Sequence, residues 1–261
     1  MSGLDYYLAD PTGNITLLCV SPCEKADFRD TARALMRAEP TAEQAGFISF
    51  AENGDIRLDM SGGEFCGNAT MSAAAFYCRR EGIKEGTVSV SVSGVEKPLP
   101  VSVRKTEENS YACAVKMPPV LSVSRESLTV RDREYSFPLV RMPGIIHAVC
   151  EQELSDAEAE ELVRIWCAEL DSEAMGLMML DRDRGSIRPL VYVAGIDSLF
   201  WENSCASGSA GAGAYLAKSG GIPVEMDFLQ PGGTLRVKAT PDGNVILSGE
   251  VRLSEKRRLE L

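Results

Sequence analysis

Histidine is nearly missing from this sequence: His147 stands alone among 261 residues. No two cysteines form a close CxxC pair. Structural zinc sites gather thiolates and imidazoles at short spacings, so no metal is expected. Basic charge is in deficit, with 27 Lys and Arg against 38 Asp and Glu and a net charge of −11. Lys and Arg cluster only in the short "EKRRLEL" tail. A basic surface for nucleic acid or an anionic membrane is therefore excluded. No apolar run reaches the roughly 18 residues that suggest a membrane-spanning helix. The opening "MSGLDYYLADPTGN" lacks the basic flank and apolar run of a signal peptide, so a cytoplasmic location is expected. Nucleotide motifs are lacking too. "GSAGAGA" at 208–214 is glycine-rich, but there is no GxxxxGK[ST] and no GxGxxG placed between a strand and a later acidic residue. No lysine context suggests a pyridoxal phosphate Schiff base, so no cofactor is expected.

What remains is an ordinary globular composition, 44% hydrophobic and 25% charged. At about 150 residues per domain the length implies two domains or one large one. Eight cysteines, at 19, 23, 66, 78, 113, 150, 167 and 205, invite a disulfide framework. Chain length, unpatterned spacing and the lack of an export signal argue against it. Those in "ITLLCV" and "IWCAEL" read as small buried hydrophobes.

Periodicity outlines the elements. "ITLLCV" (15–20) reads as a strand, and 24–37 as an amphipathic helix with Phe28, Ala32, Leu35 and Met36 on one face. "AGFISF" and "DIRLDM" pair around "ENG". A helix from Gly67 to Arg80 is closed by Gly82. "TVSVSVSG", "PLPVSVRK" and "SYACAVKM" follow as strands. The second half repeats the order. "FPLVRMPGIIHAVC" reads as strands, and a helix over 155–170 opens on the capping box Ser155/Glu158. "GLMML" and "RPLVYVAG" are strands, "SLFW" leads into Cys205, and a helix runs from about Ala206 to Lys218 before "SGG". "DFLQPGGTLRVKAT" and "GNVILSGEVRL" close the chain. The expected fold is α+β, two similar domains from an internal duplication, divided as 1–117 plus 250–261 and 118–249.

"GGEFCGNATMSAAA" (62–75) and "WENSCASGSAGAGA" (201–214) are the same local object built twice. Each has an acidic residue, a cysteine and a run of tiny residues. A helix start presents unpaired N–H groups and partial positive charge, which favour a thiolate and can hold a carboxylate. Gly67, Asn68, Ala206, Ser207 and Gly208 let a ligand come close to the backbone. Two such thiols on opposite faces of a carbon next to a carboxylate form the acid–base pair that inverts a stereocentre. Either motif alone reads as an inert buried cysteine. The repetition favours chemistry at Cys66 and Cys205, with Glu64 and Glu202 nearby.

"CGNAT", "CASGS", "PTGNITLL" and "MPGIIHAV" resemble motifs of the diaminopimelate epimerase and proline racemase superfamily. The resemblance covers nearly the whole chain. It implies two pseudo-symmetric domains, each a mostly antiparallel sheet wrapped around a central helix, with the active site in the cleft between them. It also implies cofactor-independent racemisation by a cysteine pair on a small free amino acid, and it allows a homodimer. His147 matches the histidine near one catalytic cysteine. Asn14 and Asn68, turn residues by local reading, become substrate contacts. Glu202, otherwise a solvated charge, becomes a group that positions its neighbouring thiol; Glu64 has the weaker claim. Ile145 stands where diaminopimelate epimerase has Asn, and "WENSC" lacks that enzyme's Glu-Arg-Gly, which argues against a diaminopimelate substrate. "MSGGEFCGNATMS", "EQAGF", "GLMML", "LFWENSCASGS" and "QPGG" look more like the histidine racemases of staphylopine-type opine metallophore pathways. There the glutamate of "EQAGF" lies at the substrate, which carries over to Glu43; by local reading Glu43 is an exposed loop carboxylate. Gln230 in "QPGG" reads as a turn residue.

Three other functions fit parts of the pattern. A cysteine hydrolase would pair one thiol with His147 and leave the second motif unused. A non-catalytic carboxylate binder would use both helix starts without turnover. A related isomerase, or a hydroxyproline-type epimerase or dehydratase, would lie inside the same superfamily.

Overall fold

A computed structural model describes residues 3–260, and the chain divides into two compact units. The first runs up to Lys116 and resumes at Ser248; the second is Met117–Leu247.

In the first unit β1 (Leu4–Pro11) and β2 (Thr16–Cys19) lead through α1 (Phe28–Ala38) to β3 (Gln44–Phe50) and β4 (Ile56–Met60). After α2 (Gly67–Glu81) come β5 (Glu85–Val92), β6 (Leu99–Glu107) and β7 (Ser110–Lys116). β2 and β3 are parallel, in the register Thr16↔Gln44, because α1 carries the chain back across the sheet. β4 and β5 are parallel for the same reason, with α2 as the crossover. The remaining pairs, β1–β2, β3–β4, β5–β6 and β6–β7, are antiparallel.

The two helices differ in what they bury. On α1, Phe28, Ala32 and Leu35 form a single buried stripe against β3, while the opposite face is charged. On α2, every residue from Gly67 to Phe76 is buried, and strands β1, β2, β4, β5, β6 and β7 all touch it. A helix enclosed on all sides must be narrow, and "GNATMSAAA" supplies that with mostly small side chains, Met71 being the large exception.

The second unit repeats this. β8 (Ser122–Val130), β9 (Arg133–Met142) and β10 (Ile145–Cys150) precede α3 (Asp156–Glu169), β11 (Ala174–Asp181), β12 (Ser186–Val193) and β13 (Ser198–Trp201). α4 (Ala206–Gly220) is followed by β14 (Val224–Gln230) and β15 (Gly233–Ala239). β10–β11 and β12–β14 are parallel, and β9–β10, β11–β12 and β14–β15 antiparallel. α3 starts on the Ser155/Glu158 capping box and buries Leu162, Val163 and Trp166. α4 is the enclosed helix of this unit, touched by β9, β10, β11, β14 and β15. β16 (Val245–Leu253) ends the second unit and re-enters the first, where Ala9↔Leu253 and Leu4↔Leu259 pair β1 with β16 and with β17 (Arg257–Leu259).

The fold is α+β, each unit a mixed, mainly antiparallel sheet around one central helix. β1, β8 and β17 lie where no strand is expected from sequence. β8 is polar and largely exposed, so it lacks apolar alternation. It pairs with β9 through a turn at Arg131 and Asp132, both with positive φ, the conformation of a two-residue hairpin. Among the described residues no helix is long and apolar enough to cross a membrane.

Candidate active site

Each central helix begins on a cysteine. Cys66 is the N-cap of α2, with extended backbone (φ −134°, ψ 116°), and its Sγ accepts from the Ala69 N–H at 3.4 Å. Its carbonyl oxygen accepts from the Thr70 N–H at 2.9 Å and the Thr70 hydroxyl at 2.7 Å. Cys205 caps α4 in the same way (φ −111°, ψ 108°), with the Gly208 N–H on Sγ at 3.3 Å. Its carbonyl accepts from the Ser209 N–H at 3.0 Å and the Ser209 hydroxyl at 2.7 Å. Cysteine thus takes the place of Ser or Asp as a helix cap, and the sulfur is fixed where the helix start favours negative charge.

Around Cys66 the first unit gathers a polar cluster. Asn14, in the loop between β1 and β2, is buried; its Nδ2 donates to Glu43 Oε2 at 2.6 Å. Asn14 Oδ1 accepts from Gln44 Nε2 at 2.6 Å and Asn68 Nδ2 at 3.2 Å. Gln44 Nε2 also lies 2.8 Å from Thr16 Oγ1 and 3.3 Å from Cys66 Sγ. Asn14, Glu43, Cys66, Gly67 and Asn68 are therefore together. Glu43 is half-buried and held by Asn14, which corrects its reading as an exposed loop carboxylate. Glu64 is exposed.

The approach to Cys66 is also braced. The Ser93 hydroxyl donates to the Glu64 carbonyl at 2.8 Å and accepts from the Met60 N–H at 2.9 Å. Gly94, with φ +75°, lies against the Glu64–Phe65 backbone, where an added Cβ would stand 2.5 Å from the Phe65 nitrogen.

The second unit gathers His147, Glu202, Cys205, Ala206, Ser207 and Gly208. His147 is fully buried on β10, with Nε2 3.0 Å from Ser207 Oγ. Ser207 Oγ is in turn 3.7 Å from Cys205 Sγ. The imidazole occupies space left by Gly176, its partner on β11; a Cβ there would collide with Nδ1. Burial lowers His147 to about 4, so the ring is neutral. Burial also pushes the Cys205 thiol well above its ordinary range, and the Glu202 carboxylate pushes it the same way. The Gly208 N–H and Ser207 hydroxyl pull it down. Burial and Glu202 prevail, and Cys205 rests as the thiol.

Gln230 corrects the reading of "QPGG" as a simple turn. It ends β14, is 4% exposed, accepts from the Cys205 N–H at 2.8 Å and donates to Ser209 Oγ at 2.9 Å. Gln44 and Thr16 also lie outside the residues singled out from sequence. Each nonetheless lies inside a resemblance motif, Thr16 two residues after Asn14 in "PTGNITLL" and Gln44 next to Glu43 in "EQAGF".

Among the described residues no group of three or more His, Cys, Asp or Glu could hold a metal. Cys19, Cys78, Cys113, Cys150 and Cys167 are free and buried; burial raises each above the ordinary thiol range.

Comparison with known proteins agrees with this architecture. A hydroxyproline epimerase from Agrobacterium vitis superposes with a TM-score of 0.70 over 99% of this chain and 91% of its own, at 12% identity. The fold is thus that of the proline racemase and epimerase group. The sequence profile described as histidine racemase CntK N-terminal domain matches residues 3–256. A histidine racemase of Fusobacterium nucleatum is 33% identical over 245 residues, covering 89% of this chain and 88% of its own. A histidine racemase of Staphylococcus aureus is 29% identical over 220 residues, covering 81% and 79%. The chain belongs to this histidine racemase family and is an isomerase, an amino-acid racemase.

Proposed function

We propose that the protein interconverts L- and D-histidine by a two-thiol mechanism, in the setting of opine metallophore biosynthesis. The observation that carries this reading is the matched pair of helix starts, with cysteine as N-cap and the same i+3 and i+4 contacts at Cys66 and Cys205. The helix starts receive the substrate carboxylate at the N–H groups of Gly67 and Asn68, and of Ala206 and Ser207. One cysteine, as thiolate, removes the α-proton. The other, as thiol, delivers a proton to the opposite face, and the reverse reaction exchanges the roles. Negative charge passing from the α-carbon onto the carboxylate is stabilised by the same N–H groups. Cys205, kept as the thiol by burial and by the Glu202 carboxylate, is the partner that carries the proton at the start of the cycle. The names of the relatives support histidine as substrate. So does Glu43, since a carboxylate can accept from an imidazole N–H.

The test is incubation of the reduced protein with a panel of L-amino acids in deuterated water, without cofactor, following α-proton loss and appearance of the D-form. Inversion of histidine alone is the expected result. Inversion of other amino acids but not histidine would discard the substrate and keep the chemistry. No exchange with any of them would discard both.

A further inference from the structure

We infer that Glu43 is a positioning residue that sets the hydrogen-bond donor on Cys66, acting through Asn14 and Gln44. The argument follows from what each group can donate. A carboxylate only accepts, so the Asn14 atom 2.6 Å from Glu43 is its NH2 group. That fixes the other end of the amide, and Asn14 Oδ1 faces Gln44 and Asn68 as an acceptor. Gln44 must then present its own NH2 to Asn14, and the same nitrogen lies 3.3 Å from Cys66 Sγ. One charge thus sets two amide orientations in series, and the second decides that the sulfur meets a donor rather than a carbonyl oxygen.

Three acceptors surround that nitrogen, Asn14 Oδ1 at 2.6 Å, Thr16 Oγ1 at 2.8 Å and Cys66 Sγ at 3.3 Å, while an amide has two N–H bonds. A neutral thiol is a weak acceptor, and the two short oxygen bonds take both protons. A thiolate forms a charge-assisted bond and draws one N–H away from Thr16. Thr16 tolerates this, because its own hydroxyl donates to the Asn14 carbonyl at 3.2 Å. The donor is therefore held in reserve for the charged state of Cys66. The inference rests on the racemase reading for its purpose, since there Cys66 must pass between thiol and thiolate in each turnover.

The test is site-resolved alkylation by iodoacetamide at one fixed pH without substrate, comparing Cys66 with Cys23, a half-buried thiol on a different set of contacts. Gln44→Leu should slow Cys66 alkylation roughly tenfold relative to Cys23, the size expected for losing a bond to a charged group. Glu43→Gln, which matches the native shape but lets both amides turn over, should slow it several-fold. Glu43→Asp, shorter but still acceptor-only, should stay closer to the native rate. The double variant Glu43→Gln/Gln44→Leu should be no slower than Gln44→Leu alone. A native rate in Glu43→Gln, a worse effect from Asp than from Gln, or additive effects would each overturn the inference. Gln44→Leu and Gln44→Glu decide the donor independently if Glu43→Gln does not fold. Because no substrate is present, the racemase reading is tested separately. Absent α-proton exchange with the alkylation pattern intact would remove the enzyme and keep the network. Racemisation of histidine with alkylation unaffected would do the reverse.

Discussion

At the scale of single residues, desolvation decides the resting charges. Burial works against whichever form is charged, so it raises the Cys205 thiol and lowers the His147 imidazole, leaving both neutral. For His147 this links stability to pH. Its value is about 4 folded against 6.5 in the open chain. Between those values the unfolded chain binds the extra proton. The stabilising contribution is complete above about 6.5 and is lost as pH falls towards 4. At about 1.4 kcal/mol per unit, this amounts to roughly 3 kcal/mol. His147→Leu should flatten the acid limb of the stability profile, measured by denaturant unfolding at several pH values; an unchanged limb would show that other groups carry it. The cysteines and His147 could be singled out in the sequence because each is chemically distinctive and two of them recur in one context. Gln44, Thr16 and Gln230 could not. Their roles come from which atom of a common side chain faces which sulfur or amide, and strand register sets that.

At the scale of elements, the helix starts follow largely from local sequence. Extended backbone at the cysteine, a backbone N–H at i+3 on its sulfur and tiny residues behind it are enough to build an N-cap that an all-round buried helix can follow. The approach to α2 is different, because the turn after β5 supports it. Gly94→Ala combines a strained positive φ with a Cβ 2.5 Å from the Phe65 nitrogen, a backbone atom that cannot step aside. It should cost about 1–3 kcal/mol, towards the upper end, and lower kcat. Gly82→Ala is the comparison, at φ +69° with open space around the new Cβ. It should lose stability at the lower end of that range and keep its turnover. Equal losses in both variants, read from unfolding curves and racemisation rates, would mean that the turn does not support Cys66. Gly94 was silent in the sequence, where "SGV" looks like any turn.

At the scale of the whole molecule, the order of pairings repeats: β2–β3 and β10–β11 parallel, β3–β4 and β11–β12 antiparallel, β4–β5 and β12–β14 parallel. The repetition is not complete. In the paired register Leu18 faces Gly46 where His147 faces Gly176, so the imidazole belongs to one unit alone. Two thiols with unlike surroundings should both be needed. Cys66→Ser and Cys205→Ser should each abolish racemisation of the proposed substrate, and mixing the two variants should restore none of it if both thiols act within one chain. Recovered activity on mixing would assign the second thiol to another copy.

The sequence by itself determined the duplication, the alternation that makes the sheets, the narrow central helices and the cysteine that begins each of them. These are local: spacing, side-chain size and capping act within a few residues, so they are legible in one dimension. Only the tertiary structure decided what surrounds each sulfur. Parallel pairing across a crossover helix brings Gln44 beside Thr16 and Gly176 beside His147. Those partners lie 28 or 29 positions apart, and nothing in the spacing of either segment sets the register that joins them.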